Sequence, residues 1–510
     1  MLIPASAAGI GTLVPLAYLV LRAFEADPAT IQRLVLRPRT WTLLVNTVTL
    51  TAGVMALTTL MAVPLAWLMV RSDLRWRRIV TVLAVVPLAI PGYVVAYALM
   101  SLGGNQGLLT QLLGFPVPRP SGYWGAVAAL SLYTYPYLFL NVRAALLGLD
   151  PSLEESARSL GYGDRDLFWA VILPQLRPAL LAGWLVITLY VLGDFGVVAL
   201  MRFEAFSYAI YLQYASAFDR TYAAWLSLIL LGLTLGIVAT EGRLLGRRRY
   251  ARVGSGSQRA VLTTRLGRWA PLAHGYAAVV LLTSIGLPAL VLAYWLLLSP
   301  PDAAAWRAVA EAFARTASVA APAAVLTALA AMSVAYLATR VTLRGSRLIE
   351  RLAYLGYAIP PVSLALALVF FSLRSMPWLY QTTTLLIAAY IISFLALAIG
   401  PIRSALLQVP ARLEEAARSL GRRPFTAFFQ VTFPVIRRPV VAGTALVLMV
   451  AMKELPLTYL LAPTGFHTLS VRVFTRTSEA MLAEAAPFAL AIVLFSSLFV
   501  GLLISYEGRR

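Results

Sequence analysis

Apolar residues in this chain come in long unbroken runs, not in the alternation expected of strands. Twelve runs reach the roughly 20 residues that a helix needs to cross a bilayer. They lie at about 3–21, 42–70, 79–101, 122–142, 179–201, 222–240, 272–298, 316–339, 352–373, 376–401, 440–462 and 485–505. A membrane barrel requires ten-residue alternating segments, and a spanning helix satisfies its backbone groups internally. The pattern therefore predicts an all-α polytopic membrane protein of about 12 transmembrane helices.

Where the runs break, one charged stretch occurs twice. Leu153 to Gly161 reads LEESARSLG, and Leu413 to Gly421 reads LEEAARSLG. The match continues without gaps from Leu153–Gly183 to Leu413–Gly443, bringing Pro174 onto Pro434 and Arg177 onto Arg437; upstream, Arg143 falls on Arg403. Before the Gly- and Pro-rich loop at 102–121 the offset changes, pairing Arg71 with Arg340 and Pro91 with Pro360. Each copy holds six spans, so both enter the membrane in the same sense, as parallel repeats related by an axis along the membrane normal. The expected organisation is a first repeat at 1–241, an Arg-rich linker at 242–271 and a second repeat at 272–510.

Composition agrees with the pattern: mean hydropathy is +0.80, and 12% of the 510 residues are charged. The net charge of +21 sorts by loop. Most Lys and Arg follow the even-numbered spans, and the positive-inside rule makes that side cytoplasmic, with both nonapeptides and both termini. The basic excess thus reads as topology and contact with membrane lipids, not as nucleic-acid binding. Arg243, Arg247, Arg248, Arg249, Arg252, Arg259, Arg265 and Arg268, interrupted by GSGSQ, suit a linker along anionic head groups. The absence of cysteine excludes disulfides, thiolate metal sites and a Cys nucleophile. There is no G-x-x-x-x-G-K-[ST] sequence with which the chain would bind ATP itself.

Leu153, Ala157 and Leu160, like Leu413, Ala417 and Leu420, recur at i, i+4 and i+7, the spacing of a short amphipathic helix. Ser152 with Glu155 reads as a capping box, and Gly161 or Gly421 as a left-handed C-terminal cap. The chain is then expected to reverse through a second amphipathic piece at 166–173 and to meet Pro174 before the next span. Both loops resemble the EAA motif of bacterial ABC-importer permeases, here Glu155-Ser156-Ala157 to Gly161 and Glu415-Ala416-Ala417 to Gly421, with Ser156 replacing the first alanine. The resemblance implies that Glu154, Glu155, Ala157, Arg158 and Gly161, with Glu414, Glu415, Ala417, Arg418 and Gly421, form coupling helices. These would dock on two copies of a cytoplasmic ABC ATPase, which would carry the ATP and Mg; no cofactor is expected on this chain. It further implies a periplasmic or lipid-anchored binding protein and a place in the bacterial inner membrane. The stretches from Gly193 and from Lys453 look like the fused permeases of ferric-iron importers, to which permeases for thiamine and 2-aminoethylphosphonate are related. A secondary transporter driven by an ion gradient is the alternative class, but it has no use for a docking hairpin repeated at a fixed place.

Asp194 and Glu454 share one repeat position, each in a span otherwise without acid. An intramembrane carboxylate costs about 2.5–3.5 kcal/mol on insertion scales and commonly marks a pathway. A pair of them would attract a hard cation such as Fe(III). The competing reading makes Asp194 a cap on a helix broken at Gly193 and pairs Glu454 with Lys453. His274 and His467 have no partners at metal-ligand spacing.

Overall fold

The computed structural model describes residues 2–216, 219–244, 263–341 and 345–507. Arg247, Arg248, Arg249, Arg252 and Arg259 of the expected linker lie outside them. Among the described residues nine helices are long and apolar enough to cross a membrane, and eleven if each of two sharply bent pairs is one span. The bent pairs are Arg77–Ala89 with Gly92–Met100, at 93°, and Leu348–Ala358 with Pro361–Ser375, at 109°. Pro91 and Pro360 sit at the bends as N-caps of the second helices, where a missing N–H costs nothing and the fixed φ starts the turn. The remaining expected span, the fourth, is the helix Gly122–Gly148. At 1.5 Å per residue it is about 40 Å long, enough for a bilayer, and it carries Tyr123, Tyr133, Tyr135, Tyr137, Asn141 and Arg143 among its apolar residues. The protein is an all-α polytopic membrane protein.

The chain forms two compact units, and their boundaries are not those of the sequence repeats. One comprises Met1–Trp41, Phe206–Leu231 and Pro301–Arg510; the other comprises Thr42–Ala205 and Gly232–Pro300. In the first unit the long helix Ala303–Arg340 packs along Thr383–Gln408. Its inner face is built of Ala320, Ala323, Ala324 and Ala331, all buried, because small residues let helices approach where lipid supplies no hydrophobic drive. In the second unit Gly122–Gly148 packs on Leu173–Gly193. A β-carbon at Gly183 would stand 3.2 Å from the Leu138 α-carbon, and at the matching Gly443 3.3 Å from that of Ala398. Both repeats thus use one glycine for the same close crossing. The outward face of Ala270–Leu281 and its continuation Leu287–Leu298 exposes Leu272, Val279, Leu290 and Leu297, a lipid-facing stripe.

Candidate functional site

Each nonapeptide is a short helix, Pro151–Ser159 and Arg412–Ser419. The first starts two residues earlier than expected. Asp150, not Ser152, is the N-cap, its carboxylate accepting from the Ser152 N–H at 3.0 Å, with Pro151 at the first helical position. The second has no side-chain cap. Both end as read from the sequence: Gly161 and Gly421 take φ of +88° and +83°, and the Tyr162 and Arg422 N–H groups return to the carbonyls of Ala157 and Ala417 at 3.1 Å.

Beyond each short helix the chain departs from the expectation. It does reverse, but Asp164–Gly193 and Pro424–Met452 are continuous helices of 30 and 29 residues. Each passes Pro174 or Pro434 through a π-turn, Phe168–Ile172 or Phe428–Thr432. A π-turn shifts the hydrogen-bond register by one residue, so the proline comes just after the widened turn instead of ending the helix. In the first copy Arg158 closes the hairpin on Asp164 at 2.8 Å.

The two acids of each nonapeptide part company. Glu155 and Glu415 are exposed, as are Arg158 and Arg418, whereas Glu154 and Glu414 are buried. Ala157 is buried and Ala417 half-buried. The leucines of the amphipathic stripe point outward: Leu160 is 78% and Leu420 84% exposed, and Leu153 and Leu413 are also exposed. The amphipathic stripe therefore does not serve the chain's own core.

The buried acids are held by different chemistry in the two copies. Glu154 takes a two-pronged ion pair from Arg71, with Nη2 to Oε1 at 2.6 Å and Nη1 to Oε2 at 2.9 Å. Glu414 accepts from the hydroxyls of Tyr336, at 2.8 Å, and Thr432. Arg340, the repeat counterpart of Arg71, instead binds the carbonyls of Leu406 and Val409 at 3.2 and 2.5 Å. The cause is local: the positions matching Tyr336 and Thr432 are Trp67 and Ile172, which offer no hydroxyl, so only the arginine can compensate the first carboxylate. The described end of the linker is tied to the same place. Thr264 donates through both its N–H and its hydroxyl to the Arg71 carbonyl at 2.8 Å, and the Leu266 N–H reaches Asp73 at 2.9 Å.

Asp194 and Glu454 occupy equivalent helix breaks. Asp194 follows Leu173–Gly193 and accepts from the Val197 N–H at 2.8 Å, starting Gly196–Leu200. Glu454 accepts from the N–H groups of Leu457 and Thr458 at 2.9 and 3.0 Å and from the Thr458 hydroxyl at 2.9 Å, starting Pro456–Leu461. Both carboxylates thus cap short helices, the role weighed for Asp194 alone. The second oxygen of Asp194 receives the Tyr133 hydroxyl at 3.3 Å. His274 bonds the Ala270 carbonyl within its own helix, and among the described residues no His, Cys, Asp or Glu cluster is arranged to hold a metal ion.

Two six-span repeats, each with a glycine-capped hairpin before its fifth span, define a fused transport permease. Residues 59–241 and 328–507 match the family described as binding-protein-dependent transport system inner membrane component, and the chain belongs to that family. It is a multi-pass protein of the inner membrane and a transport subunit. It is similar to the Fe(3+)-transport system permease protein FbpB 2 of Haemophilus influenzae, 34% identical over 98% of this chain and 97% of that one. It also resembles the ferric transport system permease protein FbpB of Actinobacillus pleuropneumoniae, 22% identical over 82% of this chain and 65% of that protein. The molybdenum transport system permease protein ModB of Escherichia coli is 32% identical over 26% of this chain and 58% of its own length.

Proposed function

We propose that this chain is the permease of a binding-protein-dependent ABC importer that carries ferric iron into the cytoplasm. The observation that carries the reading is the full-length similarity to a ferric permease, 34% identical across both repeats. Transport would be powered by two copies of a separate ATPase, which binds the ATP and Mg, and fed by a periplasmic or lipid-anchored binding protein. The helices Pro151–Ser159 and Arg412–Ser419 are the docking elements, both termini lying on their side of the membrane.

In this reading the exposed groups do the docking: Leu153, Leu160, Glu155 and Arg158 in one copy, Leu413, Leu420, Glu415 and Arg418 in the other. Apolar anchors rimmed by charge are what a protein cleft buries well. Glu154 and Glu414 transmit instead of touch: anchored on Arg71 or on Tyr336 and Thr432, they make each helix move as one piece with the membrane bundle. Gly161 and Gly421 set the reversal into the next span. Asp194 and Glu454, at the matching breaks of the fifth spans, are the candidate pathway residues.

The test is uptake of radioactive iron into vesicles containing the chain, its ATPase and its binding protein. ATP-dependent accumulation of ferric iron, without uptake of molybdate, thiamine or 2-aminoethylphosphonate, is expected. Uptake that ignores ATP and collapses with the ion gradient overturns the class.

A further inference from the structure

Two helices in the first repeat face each other with oxygen-bearing side chains one turn apart. Gly122–Gly148 presents Tyr133 and Tyr137, and Leu173–Gly193, with its C-cap, presents Tyr190 and Asp194. These i,i+4 pairs share one face of each helix. The Tyr133 hydroxyl lies 3.3 Å from Asp194 Oδ2, and the Tyr137 hydroxyl donates to that of Tyr190 at 2.6 Å. The Tyr137 and Tyr190 rings stack at 4.7 Å, and the Tyr133 and Tyr190 centroids are 6.5 Å apart. Tyr133 is buried, while Tyr137, Tyr190 and Asp194 are half-buried and keep access from outside the helix pair.

We propose that Tyr133, Tyr137, Tyr190 and Asp194 form a transient coordination site for the ferric ion on its way through the permease, an inference that rests on iron being the cargo. Phenolate and carboxylate are hard, anionic oxygen donors, matched to a small trivalent cation. In an octahedral site with metal–oxygen bonds of about 2.0–2.1 Å, neighbouring oxygens stand about 2.9 Å apart. The two hydrogen-bonded pairs, at 2.6 and 3.3 Å, already bracket that separation. On binding, each phenol that becomes a ligand loses its proton to water and its oxygen keeps the electron pair, so the charge of the ion is offset stepwise and no electron is exchanged. Asp194 shares its carboxylate with the Val197 and Val198 N–H groups; that keeps the site weak enough to release what it binds. The site is single. The second-repeat counterparts of the three tyrosines are Ser393, Leu397 and Val450, which supply no phenol at those positions beside Glu454.

The full chain in lipid nanodiscs, titrated with ferric nitrilotriacetate, should develop a visible phenolate-to-iron charge-transfer band. The triple variant Y133F/Y137F/Y190F retains the rings and their stacking, and it should lose most of the band; D194N should weaken iron binding several-fold. Uptake assays on vesicles with the ATPase and binding protein run in parallel. A tenfold or greater fall in ferric uptake by the triple variant, with ATPase stimulation by the loaded binding protein intact, is expected. If wild type imports iron but shows no band, or if the triple variant keeps band and uptake, the site is refuted while the ferric reading stands. If wild type imports no iron, the ferric reading itself falls and takes this cargo assignment with it.

Discussion

Replacing Glu154 and Glu414 one at a time by glutamine separates two kinds of anchor. At Glu154 the substitution leaves the Arg71 guanidinium, only 4% exposed in its side chain, without a counter-charge. Removing one partner of a buried ion pair costs about 3–5 kcal/mol, because the survivor stays desolvated. At Glu414 the donors are two neutral hydroxyls, Tyr336 and Thr432, and glutamine still accepts from one of them. The loss is then about one hydrogen bond, roughly 1 kcal/mol, with a further penalty if the second hydroxyl finds no acceptor. Thermal unfolding of purified protein, followed by tryptophan fluorescence, should therefore show a much larger drop for E154Q than for E414Q. The double variant R71M/E154L replaces the pair by apolar side chains and should recover most of the loss, since such replacements are often neutral or stabilising. Equal losses for the two glutamine variants, or a double variant no better than E154Q, would refute the assignment of a buried ion pair to one repeat and neutral anchoring to the other.

Three other perturbations have defined outcomes. The charge reversal E155K/E415K should abolish ATPase stimulation and uptake while leaving the melting temperature and membrane level near wild type, because both side chains are exposed; unchanged coupling in the vesicle assay would remove them from the docking surface. At Gly161, with φ of +88° and open space around the missing side chain, valine should cost about 1–2 kcal/mol for the left-handed backbone, and asparagine clearly less, as read by thermal melting. His467 is held below its ordinary pKa by burial, then by the charges of Arg472, Arg315 and Arg476. It is neutral in the fold and takes a proton more readily when unfolded, so its stabilising contribution is complete above about pH 6.5 and lost as pH falls through the lower folded value. The melting temperature of wild type should accordingly fall more between pH 7 and pH 5 than that of His467→Asn; parallel curves would contradict this.

The spans and the duplicated hairpin were legible because their signals are local. Runs of twenty apolar residues, a Leu-Ala-Leu spacing and a terminal glycine each act within a few turns of chain, and Gly161 and Gly421 adopt the conformation that spacing requires. The cap was misplaced because Ser152 and Asp150 both offer an acceptor; Pro151, whose φ suits the first helical position, decides for Asp150. The fates of Glu154 and Glu414 depend on partners 83 and 78 residues away, which no periodicity reports. A signal was nevertheless present: aligned copies set Trp67 against Tyr336 and Ile172 against Thr432, a double loss of hydroxyls that foretells a different partner for one carboxylate.

The mismatch between repeats and compact units bears on how such a chain can be divided. The unit that holds most of the second repeat also owns Met1–Trp41, and the unit that holds most of the first owns Gly232–Pro300. A gene split within 245–262 would therefore yield two polypeptides, neither of which carries all the parts of either unit. Each would present an unfilled helix berth to the quality-control proteases of the membrane, and only co-synthesis would rescue both. Fusion into one polypeptide guarantees that the exchanged helices arrive together and in equal number.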